Sequence, residues 1–193
     1  MKSFIAFFIL ILVMTVLCAC TEKSALKLSD VQVDIIKDKE KTGSQLLQQG
    51  EKEGQEVVST SLYYTFVIKN EGKKTLGKIS KTKNLTVKLE PNKKLVAVSK
   101  EVRGFNIFNP KEYNESGLGY GSSFVGVLKP SDEGKYILYY ELGISEETKE
   151  VLLVPSKEKI EKLKNNALDA TLIVFLDNKE ITRFDLSQKN KEN

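Results

Sequence analysis

Leu62-Tyr63-Tyr64-Thr65-Phe66-Val67-Ile68 is the stretch on which the fold turns. Aromatic and β-branched residues crowd it, the types that pack well on a pleated surface. Leu62, Tyr64, Phe66 and Ile68 fall two apart, so in a strand they share one face, which is assigned to the core. Asn70-Glu71-Gly72-Lys73 then marks a turn.

The flanking sequence repeats this pattern. Leu26-Lys27-Leu28 and Val31-Gln32-Val33-Asp34-Ile35 alternate, with a phase slip at Ser29-Asp30 that predicts a strand carrying a bulge. Lys37 to Glu56 is charged, rich in Gln and Gly, and free of aromatic residues, and reads as a mobile loop. Leu76 to Ile79 reads as a short strand. Leu85 to Glu90 alternates, Pro91-Asn92 suits a tight turn, and Leu95 to Val98 returns as the second arm of a hairpin.

Ser123 to Leu128 and Lys135 to Leu142 add two more strands, and Val151 to Val154 is a short apolar run. Ser156 suits the N-cap of a helix over Lys157 to Ala167, whose inner side is Ile160, Leu163 and Ala167, with Glu158 and Lys162 as an i,i+4 pair. Leu172 to Leu176 turns at Asp177-Asn178 into Ile181 to Leu186, a terminal hairpin. The sum is an all-β chain in the main: an antiparallel β-sandwich with one short helix near the C-terminus. Its domain spans residues 26–187, followed by a frayed polar tail over 188–193.

Asp132-Glu133-Gly134-Lys135-Tyr136 matches D-x-G-x-Y. This resembles the tyrosine corner of immunoglobulin domains, in which the Tyr hydroxyl bonds back to upstream backbone. Leu138 stands where those domains carry a Cys, so the resemblance implies a corner of Asp132, Gly134 and Tyr136 without an inter-sheet disulfide. Tyr64 to Gly72 resembles the second-strand segment of such domains. Both readings are structural and imply no activity.

The first residues give an address. Lys2 is followed by the apolar run Phe4 to Leu17. At about 1.5 Å per residue this run is too short for a hydrocarbon core roughly 30 Å thick. A charged start and a short apolar stretch describe a secretory signal. Leu17-Cys18-Ala19-Cys20 closes it and resembles the bacterial lipobox. That resemblance implies cleavage after Ala19, acylation of Cys20, a signal peptide over 1–19 and a short tether over 20–25. Choosing Cys18 instead would put Thr15 and Leu17 in the key positions, a poorer fit. Taken together these features resemble a small Gram-positive lipoprotein carrying an immunoglobulin-like domain, a resemblance that covers about half of the mature chain.

Composition narrows the chemistry. The chain has no His, no Trp and two Cys, both at the signal, with 30 basic and 26 acidic residues and a net charge of +4. Without His the usual general base and the usual nucleophile pairs are missing, as is the commonest zinc ligand. No cofactor or metal is expected. Asp30, Asp34, Asp38 and Glu40 form a spaced acidic row, read as a solvated face rather than a calcium site. The near-balanced charge gives no reason to expect nucleic acid.

One long stretch stands apart. Gly104 to Gly121 is rich in Gly, Asn and aromatic residues, with Phe105, Phe108, Tyr113 and Tyr120 as candidate contacts. It either caps an open end of the sandwich or recognises a partner. The functional expectation is a lipid-anchored, non-catalytic binding or accessory module of the cell envelope. It would be held on the extracytoplasmic face of the membrane by acyl chains on Cys20. Its partner would be an envelope protein, a wall polymer or a small ligand. The alternative is an enzyme working through Asp/Glu pairs without His.

Overall fold

A computed structural model describes residues 25–78, 84–113 and 116–191. The strands are β1 (Leu26–Ile36), β2 (Gln45–Leu46), β3 (Glu56–Val57), β4 (Thr60–Asn70), β5 (Leu85–Pro91), β6 (Tyr120–Ser123), β7 (Glu133–Gly143), β8 (Ala170–Leu176) and β9 (Lys179–Asp185). The helices are α1 (Lys39–Thr42), α2 (Lys93–Arg103) and α3 (Lys157–Asn165). Strand dominates, and every sheet is antiparallel.

The larger sheet runs β1-β4-β7-β6, and a second runs β5-β8-β9. Both give their inner faces to one core. β4 is its centre: Leu62, Tyr64, Phe66 and Ile68 are all fully buried, as their two-residue spacing predicts. β1 pairs with β4 along its length, and its register shifts between Leu28 and Asp30. That bulge carries the inward phase from Leu26 and Leu28 to Val31 and Val33, where the sequence slips. Each sheet is tied to a connection leading into the other. Tyr64 Oη donates to Ala167 O at 3.0 Å, and Leu85 N donates to Gly126 O at 3.0 Å.

The β8–β9 hairpin forms at the expected turn. Asp177 and Asn178 hold φ of 54° and 59°, the left-handed pair that a two-residue hairpin requires. Ser156 caps α3 by accepting from Lys159 N, and Ile160, Leu163 and Ala167 are buried. Lys162 reaches across to Glu101 at 2.6 Å rather than back to Glu158.

Other expectations need correction. Leu95 to Val98 is not a strand but part of α2, so there are two longer helices rather than one, and β5 pairs with β8. Asn92 is the N-cap, its side chain accepting from Leu95 N at 3.0 Å, and Gly104 closes the helix in the left-handed conformation. An apolar run of four fits either period. Leu95, Val98 and Val102, spaced three and four apart and all buried, fit only the helix.

Lys37 to Glu56 carries secondary structure of its own: Asp38 caps α1, β2 pairs with β3, and Leu47 is buried against the core. Of the strand expected over Ser123 to Leu128 only its first residue lies in β6, and Leu128 forms an isolated bridge with Leu76. Ile79 lies outside the described residues. The tail begins as a 3-10 helix, Leu186–Lys191, with Leu186 fully buried, while residues 192–193 lie outside the described residues.

Candidate functional site

The aromatic connection after α2 folds into a compact cap. Ser99 Oγ donates to Phe105 O at 3.1 Å and accepts from Ile107 N at 2.9 Å, tying the chain back onto the helix. Glu112 accepts from Asn106 N at 2.9 Å and from Asn109 Nδ2 at 3.0 Å. Those two donors hold its carboxyl below the usual range. Ile107 is fully buried, and Tyr113 Oη donates to its carbonyl at 2.8 Å.

The rings turn inward. Phe108 packs edge-on against Tyr140 with centroids 4.8 Å apart, and Phe105 against Tyr113 at 5.5 Å. Phe108 and Tyr113 are buried and Phe105 is half-buried; of the four candidate contacts only Tyr120, 54% exposed, faces solvent freely. Recognition by this loop needs its rings in water, so Phe108 and Tyr113 are corrected from candidate contacts to core. A glycine- and asparagine-rich loop can satisfy its backbone internally and so spend its aromatics on burial.

Beneath the cap sits Glu141. It accepts from Gly119 N at 2.7 Å, and burial nevertheless raises its pKa above the ordinary carboxylate value. Burial raises Tyr113 and Tyr139, and the Glu141 charge adds a smaller push to both. Glu141 stands opposite Ser61, whose buried hydroxyl has no hydrogen-bond partner. No sequence pattern marked this group, because its surroundings come from two separate strands and the cap connection.

A second place missed by the sequence reading is an open cleft of ≈ 660 Å³ between the 47–52 and 147–149 segments, lined by Gln49, Glu51, Lys52, Glu147, Thr148 and Lys149. Glu150 fixes one wall by accepting from Gln48 N at 2.9 Å and Gln49 N at 2.6 Å, and Lys52 pairs with Glu146. The cleft is mixed in charge and wide open to solvent.

The remaining candidates are structural. Tyr136 is fully buried and donates to Val125 O at 3.0 Å, eleven residues upstream. Gly134 lets it pack closely, since a Cβ there would lie a tight 3.0 Å from the Tyr136 ring and 3.1 Å from Leu128. The Asp132 carbonyl accepts from Asn70 N at 3.0 Å. Asn70, fully buried, donates from Nδ2 to Lys74 O at 2.8 Å and Leu128 O at 3.0 Å, and accepts from Gly72 N at 3.0 Å.

In the acidic row, Asp34 pairs with Lys164 at 3.3 Å, Asp30 accepts from Gln32 and Asp38 caps α1. Among the described residues no group of His, Cys, Asp or Glu could hold a metal ion. Cys20 lies outside the described residues. No protein-family model matches the chain, and no curated protein or solved structure resembles it significantly.

Proposed function

We propose that this chain is a lipid-anchored module on the extracytoplasmic face of a bacterial cell membrane, binding an envelope component without transforming it. The observation that carries the reading is Leu17-Cys18-Ala19-Cys20 at the close of a short apolar run behind Lys2. β1 begins at Leu26, so the folded domain would start directly after the tether. Two acyl chains on one cysteine give stable anchoring where a single chain holds only marginally. The Tyr136 bond to Val125 supports an immunoglobulin-like reading of the fold; the two longer helices, one flanking each side of the β5–β8 crossover, weigh against it.

Glu141 is the observation that favours the enzymatic alternative. Burial raises its pKa, as a general acid would need. Its neighbours among the described residues are tyrosines, the Ser59 and Ser61 hydroxyls and a backbone amide, with no second carboxylate to divide acid and base roles. The binding reading is therefore preferred.

Metabolic labelling with a fatty acid tests the address. Cys20→Ala is expected to lose the label and Cys18→Ala to keep it. The reverse pattern would move the anchor to Cys18, and label retained in both would remove the anchor from this site.

A further inference from the structure

The domain has two chemically different ends. β4 runs opposite to both β1 and β7, so Leu26, Asn70 and Glu133 mark one end, and Ile36, Thr60 and Gly143 the other. At the first end lie the 71–78 and 124–132 connections. There Lys27, Lys69, Lys73, Lys74, Lys129 and Lys135 outnumber Asp30, Glu71, Asp132 and Glu133. At the opposite end the 37–59 and 144–156 connections are richer in carboxylates than in lysines, with Glu40, Glu51, Glu53 and Glu147 among them. A nearly neutral chain is thus polarised along its strands.

The basic end also presents apolar side chains. Phe124 is 38% exposed and Val125 39%. They are held in place rather than loosely attached. Tyr136 holds the Val125 carbonyl, and Leu76 and Leu128 exchange two backbone bonds at 2.9 Å each. Gly77 lies so close that a Cβ on it would sit 2.0 Å from Gly126 O. Asn70 ties both connections to β4.

We propose that this end is a docking face for the anionic phospholipid surface in which Cys20 is anchored, an inference that rests on the anchoring reading above. Cys20 and Leu26 are six residues apart, about 20 Å of extended chain, so the anchor keeps the basic end close to the bilayer surface. Lysines against phosphate, with Phe124 and Val125 entering the interface, are the two attractions that hold proteins flat on charged bilayers. The anchor makes the encounter intramolecular, so weak contacts suffice to set orientation. The domain then stands upright, and the cleft at residues 47–52 and 147–149 faces away from the membrane.

The test uses the full chain, processed in and purified from bacterial membranes, with Phe124→Cys carrying an environment-sensitive thiol dye. Its mass reports acylation separately from docking. The protein is placed in vesicles of phosphatidylcholine, with or without phosphatidylglycerol. The dye emission is expected to shift to the blue only on the anionic vesicles. The shift should vanish when NaCl is raised to about 1 M, where the screening length falls to roughly 3 Å. It should also vanish in Lys73→Glu/Lys74→Glu/Lys129→Glu, while that variant still floats with the vesicles. Acylated protein with equal emission on both vesicles would overturn the docking face alone. Protein of unacylated mass would overturn the anchor and the docking face together.

Discussion

The hydroxyl of Tyr136 donates to the carbonyl oxygen of Val125 at 3.0 Å, and the ring lies fully buried over Gly134. That bond joins the Leu85 N–Gly126 O bond and the Leu76–Leu128 bridge in fixing the 124–128 segment. Tyr136→Phe removes only the donor, and is expected to cost on the order of 1 kcal/mol, the net worth of such a bond. Urea denaturation measures it as a lower midpoint at unchanged slope. An unchanged midpoint would mean that the bond contributes nothing to the fold.

Burial also sets a pH limit. Tyr136 is pushed up to about 12 by desolvation, and Tyr64, Tyr113 and Tyr140 are raised as well, burial leading in each. The native state therefore holds these protons after the unfolded chain, near 10, has released them. Their contribution is complete below about pH 10 and is lost as the pH climbs from there through the native values. Absorbance at the phenolate band should show these four buried tyrosines ionising together with loss of the far-UV signal. Smooth titration of Tyr64, Tyr113, Tyr136 and Tyr140 in a folded chain would contradict the burial described.

The aromatic cap separates into core and surface. Phe108→Ala should cost about 3–5 kcal/mol, as truncation of buried aromatics does. Tyr120→Ala should stay within about 0.5 kcal/mol, since that ring is mostly in water. Thermal melts of the two variants side by side decide whether the loop is a cap. Equal, small losses would restore it as a solvent-facing loop.

Asn92 distinguishes the helix from the hairpin. As the N-cap of α2 it accepts from Leu95 N. Asn92→Ala should cost about 1 kcal/mol, while Asn92→Gly should cost only a few tenths. In a hairpin turn the two substitutions would carry no such ranking. Chemical denaturation of both variants reads the difference directly.

The strands that could be read from the sequence are those fixed by local chemistry. The two-residue spacing of Leu62, Tyr64, Phe66 and Ile68 leaves only one face to bury. The slip at Ser29-Asp30 is the bulge, Asp177-Asn178 is the turn, and Ser156 is the cap. Each is settled by residues within a few positions, because period, left-handed φ and capping are short-range effects.

Tertiary structure decided the rest. β5 has Pro91 and an apolar run after it, and only its pairing with β8, some eighty residues away, left Leu95 to Arg103 free to be a helix. Phe108 and Tyr113 could face either way until Tyr140 and the Ile107 carbonyl received them. Asn70 looked like a turn residue and became a buried hub, because the 128–132 connection folds onto it. The basic end and the far cleft exist only because antiparallel strands bring distant lysines to one end and distant carboxylates to the other. Which surfaces meet is a property of the whole packed chain, and no short window of sequence contains it.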